Sequence, residues 1–541
     1  MARMARSRRN TGPKSVVAMG GIVAHALWAR WGQAVKGPLA REYDGGMPDW
    51  TYQPLRRPMG ALLGVRRSRL AALGLVAALT RIPGGRWVVA GLGHTAPPAE
   101  AAGRVAGVDL VARVGASVGP GVARDALRAL PALGAGLVEV GSGRILVGET
   151  ELPPDVVVLR NATVSQVRAD GRPVIATTSV ASPAFAADLI KAGAAAVLIT
   201  SEGLIEAGPG WFHRATMAYV GKMPVARGRA WFAGLLLGLG MIAGGAGAAI
   251  VALGPVLLPY DASFLGVDSA GLAAINPRLI HFLQHDRITL AGVMVAIGIL
   301  YSALSWWGIR RGLAWARDAM LASGVVGFPT LFYFFGYRYV EPAHVALAAV
   351  LFPLFVIATW RRPHGHTPVL HDEGPDAERQ QALLGQLLMV VVGAGLIIGG
   401  VAISYEGLTA VFVPSDLSYM STSAQALAAA NDRLLSFIAH DRAGFGGALV
   451  SAGVAVLLIA AWGWERGQAW VWWTLLSSAA VGFGAALAVH VGVAYTDFLH
   501  VAPIYAGIAF TAISLALARR FLTAGAAEVS QSRVAGLATG R

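Results

Sequence analysis

Residues 276–287 read NPRLIHFLQHDR, and residues 431–442 read NDRLLSFIAHDR. The second stretch repeats the first 155 positions on (285 to 440), and the match extends without gaps to either side. Pro259 and Asp261 return as Pro414 and Asp416, and Gly312 with Trp315 returns as Gly467 with Trp470. After one inserted residue the match resumes: Gly336, Tyr339, Glu341 and His344 correspond to Gly492, Tyr495, Asp497 and His500. A repeat on this scale decides the architecture before any single element is read. It implies two copies of one unit, which have kept His, Asp, Glu and Arg inside very apolar surroundings.

Those surroundings exclude an ordinary soluble protein. Of 541 residues, 55% are hydrophobic and only 14% charged, and the mean hydropathy is +0.57, outside the usual globular range. There is no cysteine, which rules out disulfides, thiolate metal sites, iron–sulfur clusters and cysteine nucleophiles. The net charge of +14 comes without any nucleic-acid motif, so its expected partner is anionic lipid on the cytoplasmic side of a bilayer.

From Arg229 onward, apolar runs long enough to cross a membrane (roughly 20 residues) follow one another near 231–256, 288–308, 318–336, 343–360, 384–405, 444–464, 471–491 and 500–518. Gly244-Gly245 in the first run corresponds to Gly399-Gly400 in the fifth. This predicts an all-α membrane domain of eight spans in two four-helix repeats, 230–362 and 383–520, with a linker at 363–382 and a disordered tail at 521–541. An even number of spans per unit makes the repeats parallel, related by an axis along the membrane normal. Lys222, Arg227, Arg229, Arg310, Arg311, Arg317, Arg361, Arg362, Arg519 and Arg520 all fall on one face, which the positive-inside rule makes cytoplasmic. The expected location is the cell (inner) membrane. Trp306, Trp307, Trp315, Trp462, Trp464, Trp470, Trp472 and Trp473 lie at span ends, where an aromatic belt is the default explanation.

Under this topology His285, Asp286 and Arg287 stand at the entrance to span two, and Glu341 and His344 at the entrance to span four. His440, Asp441, Arg442, Asp497 and His500 take the equivalent places in the second unit, so all of them gather on the extracytoplasmic side. Two readings stay open. In the first, each unit offers two imidazoles and two carboxylates as a metal, haem or proton site. An acidic residue three before a histidine shares its helical face, as in four-helix di-metal proteins, and ionisable groups at membrane depth are functional candidates. The candidate metal ligands are then His285, Glu341, His344, His440, Asp497 and His500. In the second, the acids cap helix N-termini, Pro342 fills a first helical turn, Asp286 pairs with Arg287, and the histidines face water. For His364, His366 and His371 in the linker a solvated loop is expected.

Residues 1–46 are a basic leader, expected to be disordered. Residues 47–225 have the texture of an α/β unit, with strands expected at Trp87–Ala90, Asp109–Val114, Leu137–Val140, Val156–Leu159, Val174–Ala176 and Ala196–Ile199. Six strands are fewer than the eight of a complete barrel, so the expectation is a truncated barrel. Three patches resemble quinone-dependent, class 2 dihydroorotate dehydrogenases: Tyr52-x-Pro54-Leu55-Arg56-Arg57-Pro58; Gly134 to Gly141 (GAGLVEVG); and Ala192-Gly193-Ala194 followed by Gly203 to Gly210 (GLIEAGPG). The resemblance implies an FMN barrel that oxidises dihydroorotate and passes electrons to quinone, with Gly115, Gly141, Ser201 and Gly203 as FMN-binding positions. Ala116 to Pro120 stands where that family has a lysine-bearing flavin loop, and Ala176 to Ser179 where it has a glycine phosphate turn. Asn161 is the one candidate in the catalytic middle. Two functions therefore remain. One is a flavin- and quinone-linked membrane oxidoreductase. The other is a barrel remnant docked to a membrane module that transports, conducts protons, or binds metal or haem.

Overall fold

The computed structural model describes residues 48–93, 95–141, 143–221, 228–330, 339–361 and 376–525. The basic leader, the linker histidines and most of the tail lie outside these residues, as does 331–336 of the third expected span.

The α/β unit opens with helices at Arg56–Leu63, Val65–Leu79 and Gly85–Gly93. The last of these replaces the strand expected at Trp87–Ala90. A single apolar run of four residues carries no period that separates strand from helix, and here it packs as a helix against the membrane domain. The strands are β1 (Gly103–Val105), β2 (Val108–Leu110), β3 (Val114–Val118), β4 (Leu137–Val140), β5 (Arg144–Val147), β6 (Thr150–Glu151), β7 (Val158–Leu159), β8 (Ile175–Thr178) and β9 (Ala196–Thr200). The segment expected as one strand at Asp109–Val114 is therefore divided, its two ends falling in β2 and β3. β1 and β2 form a separate hairpin, and the other seven strands make one sheet in the order β6-β5-β4-β3-β9-β8-β7. Neighbours from β4 to β7 are parallel, whereas β5 and β6 are antiparallel additions at one edge. The sheet ends on β6 and β7, so among the described residues it is open. Its central strands are buried on both faces, which is why they read as continuous apolar runs.

The remainder is helical. The long helices are α1 (Ala230–Leu253), α2 (Leu279–Ala303), α3 (Ala314–Thr330), α4 (Pro342–Thr359), α5 (Asp376–Leu408), α6 (Leu434–Trp462), α7 (Ala469–Gly492) and α8 (Phe498–Leu522). Seven of them are long and apolar enough to cross a membrane. α3, at the third expected span, is 17 residues long within the described chain. α5 begins at Asp376, inside the expected linker.

Before α2 and α6, each repeat carries two short helices that hydropathy alone does not reveal. They are Pro259–Leu265 and Ser269–Ile275 in the first, Pro414–Met420 and Ala424–Ala430 in the second. Asp261 and Asp416 close the first of each pair by accepting from the Leu258 and Val413 N–H groups at 3.0 and 2.8 Å.

The repeats interlock. Within each, the first helix packs along the second, α1 on α2 and α5 on α6; across the pair, α2 packs on α7 and α3 on α6. The glycine pairs permit the first of these contacts. A Cβ on Gly245 would lie 2.8 Å from the Ala291 carbonyl oxygen, and one on Gly400 would lie 2.6 Å from that of Gly446. The short helices exchange contacts as well: Asn276 Nδ2 donates to Met420 O at 2.9 Å, and Asn431 Nδ2 to Leu265 O at 2.8 Å.

The tryptophans correct the aromatic-belt expectation in part. Trp315, Trp462, Trp464 and Trp470 are buried. Trp315 stacks on its own repeat equivalent Trp470, ring centroids 5.9 Å apart. Trp462 Nε1 donates to Gly91 O at 3.0 Å, which joins α6 to the α/β unit. A second joint is Asp49, fully buried, which accepts from Gly210 N at 2.8 Å, Arg214 Nη1 at 2.6 Å and Arg379 Nη2 of α5 at 2.8 Å.

Candidate metal centres between the repeats

Each His-Asp-Arg triplet lies two turns into its helix, α2 or α6. One end of the helix bundle collects them with the C-terminus of α7 and the N-termini of α4 and α8. The triplets are not caps. Asp286 does not pair with Arg287: Arg442 Nε of the second repeat donates to Asp286 Oδ2 at 3.1 Å. In turn Arg287 Nε donates to Asp441 Oδ2 at 2.9 Å. Each arginine also holds the capping aspartate of its own repeat, Arg287 to Asp261 at 3.0 Å and Arg442 to Asp416 at 2.6 Å. Each further donates to a carbonyl, of Val256 and of Val411, at 2.6 and 2.8 Å. Val256 and Val411 both have positive φ, 64° and 68°. A β-branched residue there is strained, and the same backbone turn in both copies aims its carbonyl at the guanidinium.

The exchange redistributes the histidines. His285 does not join Glu341 and His344 of its own unit. It meets His490 and His500 of the other repeat, and the three offer ligand atoms that all lie within 4.8 Å of one another. His440 crosses in the opposite direction to Glu341 and His344, forming a second such group. Five of the six ligands expected from the sequence thus fall into two sites, each built by both repeats.

Asp497 belongs to neither: it caps α8 by accepting from His500 N at 2.9 Å. Its counterpart Glu341 makes no capping bond. Instead its Oε2 lies 2.7 Å from His344 Nδ1, and its Oε1 accepts from Tyr260 at 3.3 Å. The capping reading therefore holds for Asp497 and fails for Glu341. His490 was missing from the expected set because the duplication gives it no partner: position 334 of the first repeat is Phe. Its signal was a lone histidine in the last turn of an apolar run, which has no spacing to recommend it.

In the three-histidine site the ring nitrogens are sorted by their partners. His285 Nδ1 lies 2.9 Å from Asp286 Oδ1, and His490 Nδ1 lies 2.7 Å from Ala486 O. Both partners are acceptors, so both Nδ1 atoms carry hydrogen. The two Nε2 atoms then face each other at 2.9 Å. His500 Nδ1 is within 3.3 Å of Tyr495 OH, which donates to Asp416 at 2.8 Å.

In the other site His440 Nδ1 is oriented by Asp441 Oδ1 at 3.1 Å, and Tyr339 donates to Asp261. Burial, and then that bond to a carboxylate, push the Tyr339 phenol far above its usual pKa, so it stays a donor. Burial also opposes ionisation of Glu341, but the hydrogen bond and charge of His344 outweigh it and hold the carboxyl below its usual value.

No protein-family model, curated protein or solved structure matches this chain.

The positions expected to bind FMN lie in the α/β unit, and packing gives three of them other roles. Gly115 sits inside β3, where a Cβ would fall 2.0 Å from Leu137 O. Ser201 Oγ donates to Ser117 O at 3.0 Å, tying β9 to β3. Gly203 lets its helix approach β8, since a Cβ would meet Ser179 O at 2.8 Å. Gly141, with φ of 67°, turns the chain after β4 and has open space where a Cβ would point. Gly141, Ser201 and Gly203 share the carboxyl edge of the parallel strands, where open α/β sheets take ligands.

Proposed function

We propose that this protein is a multi-pass membrane metalloprotein with two metal centres formed between its repeats, one by His285, His490 and His500, the other by Glu341, His344 and His440. One observation carries the reading: the Nε2 atoms of His285 and His490 converge at 2.9 Å while an acceptor holds each opposite Nδ1. Metal-bound imidazoles donate their remote N–H to a carboxylate or carbonyl in this way. Two imidazoles bound side by side, with metal–nitrogen bonds of about 2.0–2.1 Å, stand roughly 3 Å apart.

A proton relay would need one hydrogen shared between the Nε2 atoms of His285 and His490, since an acceptor already holds each Nδ1. That arrangement gives no reason for three imidazoles to crowd together. Bis-histidine haem fits less well, since trans ligands stand roughly 4 Å apart across the iron.

The donor sets differ. Three imidazoles suit zinc or copper, and two imidazoles with a carboxylate suit iron(II) with open coordination positions. Transport is the weaker reading, because the interlocking ion pairs tie the two repeats together at the very place where rocking would have to part them.

For the α/β unit we favour a docking role over dihydroorotate oxidation. Support comes from Ala176–Ser179, which lies in and directly after β8 and offers no glycine to a phosphate, and from Asp49, which joins the Gly208–Gly210 turn to α5. The arginine distribution supports a cytoplasmic α/β unit, with both metal centres on the opposite side of the cell membrane.

Metal analysis of the detergent-purified protein, with its ultraviolet–visible spectrum, tests the proposal. Two ions per chain are expected, with one lost in His285→Ala and the other in His440→Ala. A metal-free protein after reconstitution with zinc, copper and iron(II) would overturn it, and a stoichiometric flavin band would restore the oxidoreductase reading.

A further inference from the structure

Below the Glu341–His344–His440 group lies a partly open chamber of about 90 Å³, lined by α1, α2, α3, α4 and α6. Its lining is apolar apart from a few groups, and most of these are already engaged. Tyr301 OH shares a hydrogen bond with Ser323 Oγ at 2.8 Å, and Ser323 and Ser451 bond each other across the repeats at 2.8 to 3.0 Å. Thr330 Oγ1 donates to Gly327 O at 2.7 Å.

A buried water needs two to four polar partners, and apolar cavities without them stay dry. Among the described residues, the polar groups left for a guest are the imidazoles of His344 and His440 at one end. Gly444, one turn beyond His440 on α6, keeps this space clear, because a Cβ added there would meet nothing within 4 Å.

We infer that the chamber admits a small non-polar gas molecule of the dioxygen class and presents it to an open coordination position of the Glu341–His344–His440 centre. The inference rests on the metal reading of that site. The volume is smaller than the roughly 150 Å³ cavity that holds benzene, which favours a guest of two or three heavy atoms. A diatomic gas partitions into the bilayer core and also ligates iron(II), so it satisfies both the chamber and the centre.

The test loads the full-length protein with iron(II) and titrates nitric oxide, followed by paramagnetic resonance of the iron–nitrosyl species. The wild type is expected to form it. Gly444→Leu, and separately Ala448→Leu one turn further, should retain iron yet weaken nitric oxide binding at least 10-fold by filling the chamber. Unchanged affinity in both variants, or an iron-loaded wild type that takes no nitric oxide, would overturn the inference. Should the wild type bind no iron, the iron reading of that centre has failed, and crystals under xenon pressure then judge the chamber alone. A xenon peak lost in Gly444→Leu keeps it as a gas site, and no peak removes it.

Discussion

Arg442 makes a hydrogen bond to Asp286 of one repeat and Asp416 of the other, and Arg287 mirrors it with Asp441 and Asp261. Buried ion pairs add little net stability, but breaking one by removing a partner costs about 3–5 kcal/mol, because the remaining charge is stranded. These pairs specify which histidine meets which, since each aspartate that binds an arginine also orients a ring. Asp49 works by the same physics at the joint with the α/β unit. Burial opposes its charge, yet Arg214, Arg379 and the Gly210 N–H outweigh burial and hold its pKa below the usual 3.8. A carboxyl with a depressed folded-state pKa contributes stability that is complete above its unfolded value and lost as pH falls through the folded one. Hydrogen exchange of residues 48–53 should therefore stay slow from neutrality to about pH 4 and accelerate only below it. In Asp49→Asn exchange should be fast throughout, and an acceleration of the wild type near pH 6 would contradict the account.

At the scale of elements, the contact of α5 with α6 turns on one glycine of a pair. A Cβ on Gly400 would press against Gly446 O at 2.6 Å and Val450 N at 2.7 Å, whereas the nearest atom to one on Gly399 is Leu449 Cδ2 at 4.0 Å. Gly400→Ala should destabilise the membrane domain by about 1–3 kcal/mol. Gly399→Ala should be neutral or slightly stabilising, because alanine is the better helix former. Thermal unfolding in detergent separates the two, and equal effects would refute the packing. The alignment of the two copies showed that both pairs recur but gave no means to tell their members apart, because which glycine faces α6 depends on helix rotation. The short helices Pro259–Leu265 and Pro414–Met420 were missed for a related reason. Seven residues carry too little periodicity, and their capping aspartates appeared in the alignment only as retained acids.

On the scale of the molecule, the repeats are interlocked: α2 packs on α7 of the other repeat, α3 on α6, and each group of candidate ligands draws on both copies. Cutting the chain should therefore not separate it. With a protease site inserted between residues 362 and 375, the cleaved halves are expected to co-elute on size exclusion and to retain whatever metal the proposed centres bind in the intact chain. Halves that part without denaturant would show that the repeats are independent units.

The sequence by itself determined the membrane class, the duplication, the run of apolar helices and the face on which the ionisable residues gather. Those follow from composition and from a repeat period, both of which are properties of the chain read in order. Only the tertiary structure decided that His285 belongs with His490 and His500, that His440 belongs with Glu341 and His344, and that Asp497 is a cap. An internal alignment pairs residues that are equivalent, such as His285 with His440. A binding site pairs residues that are adjacent, and where two copies exchange contacts the adjacent residue comes from the other copy. Helix packing across the pseudo-symmetric interface makes that choice, and it leaves no trace in the spacing along the chain.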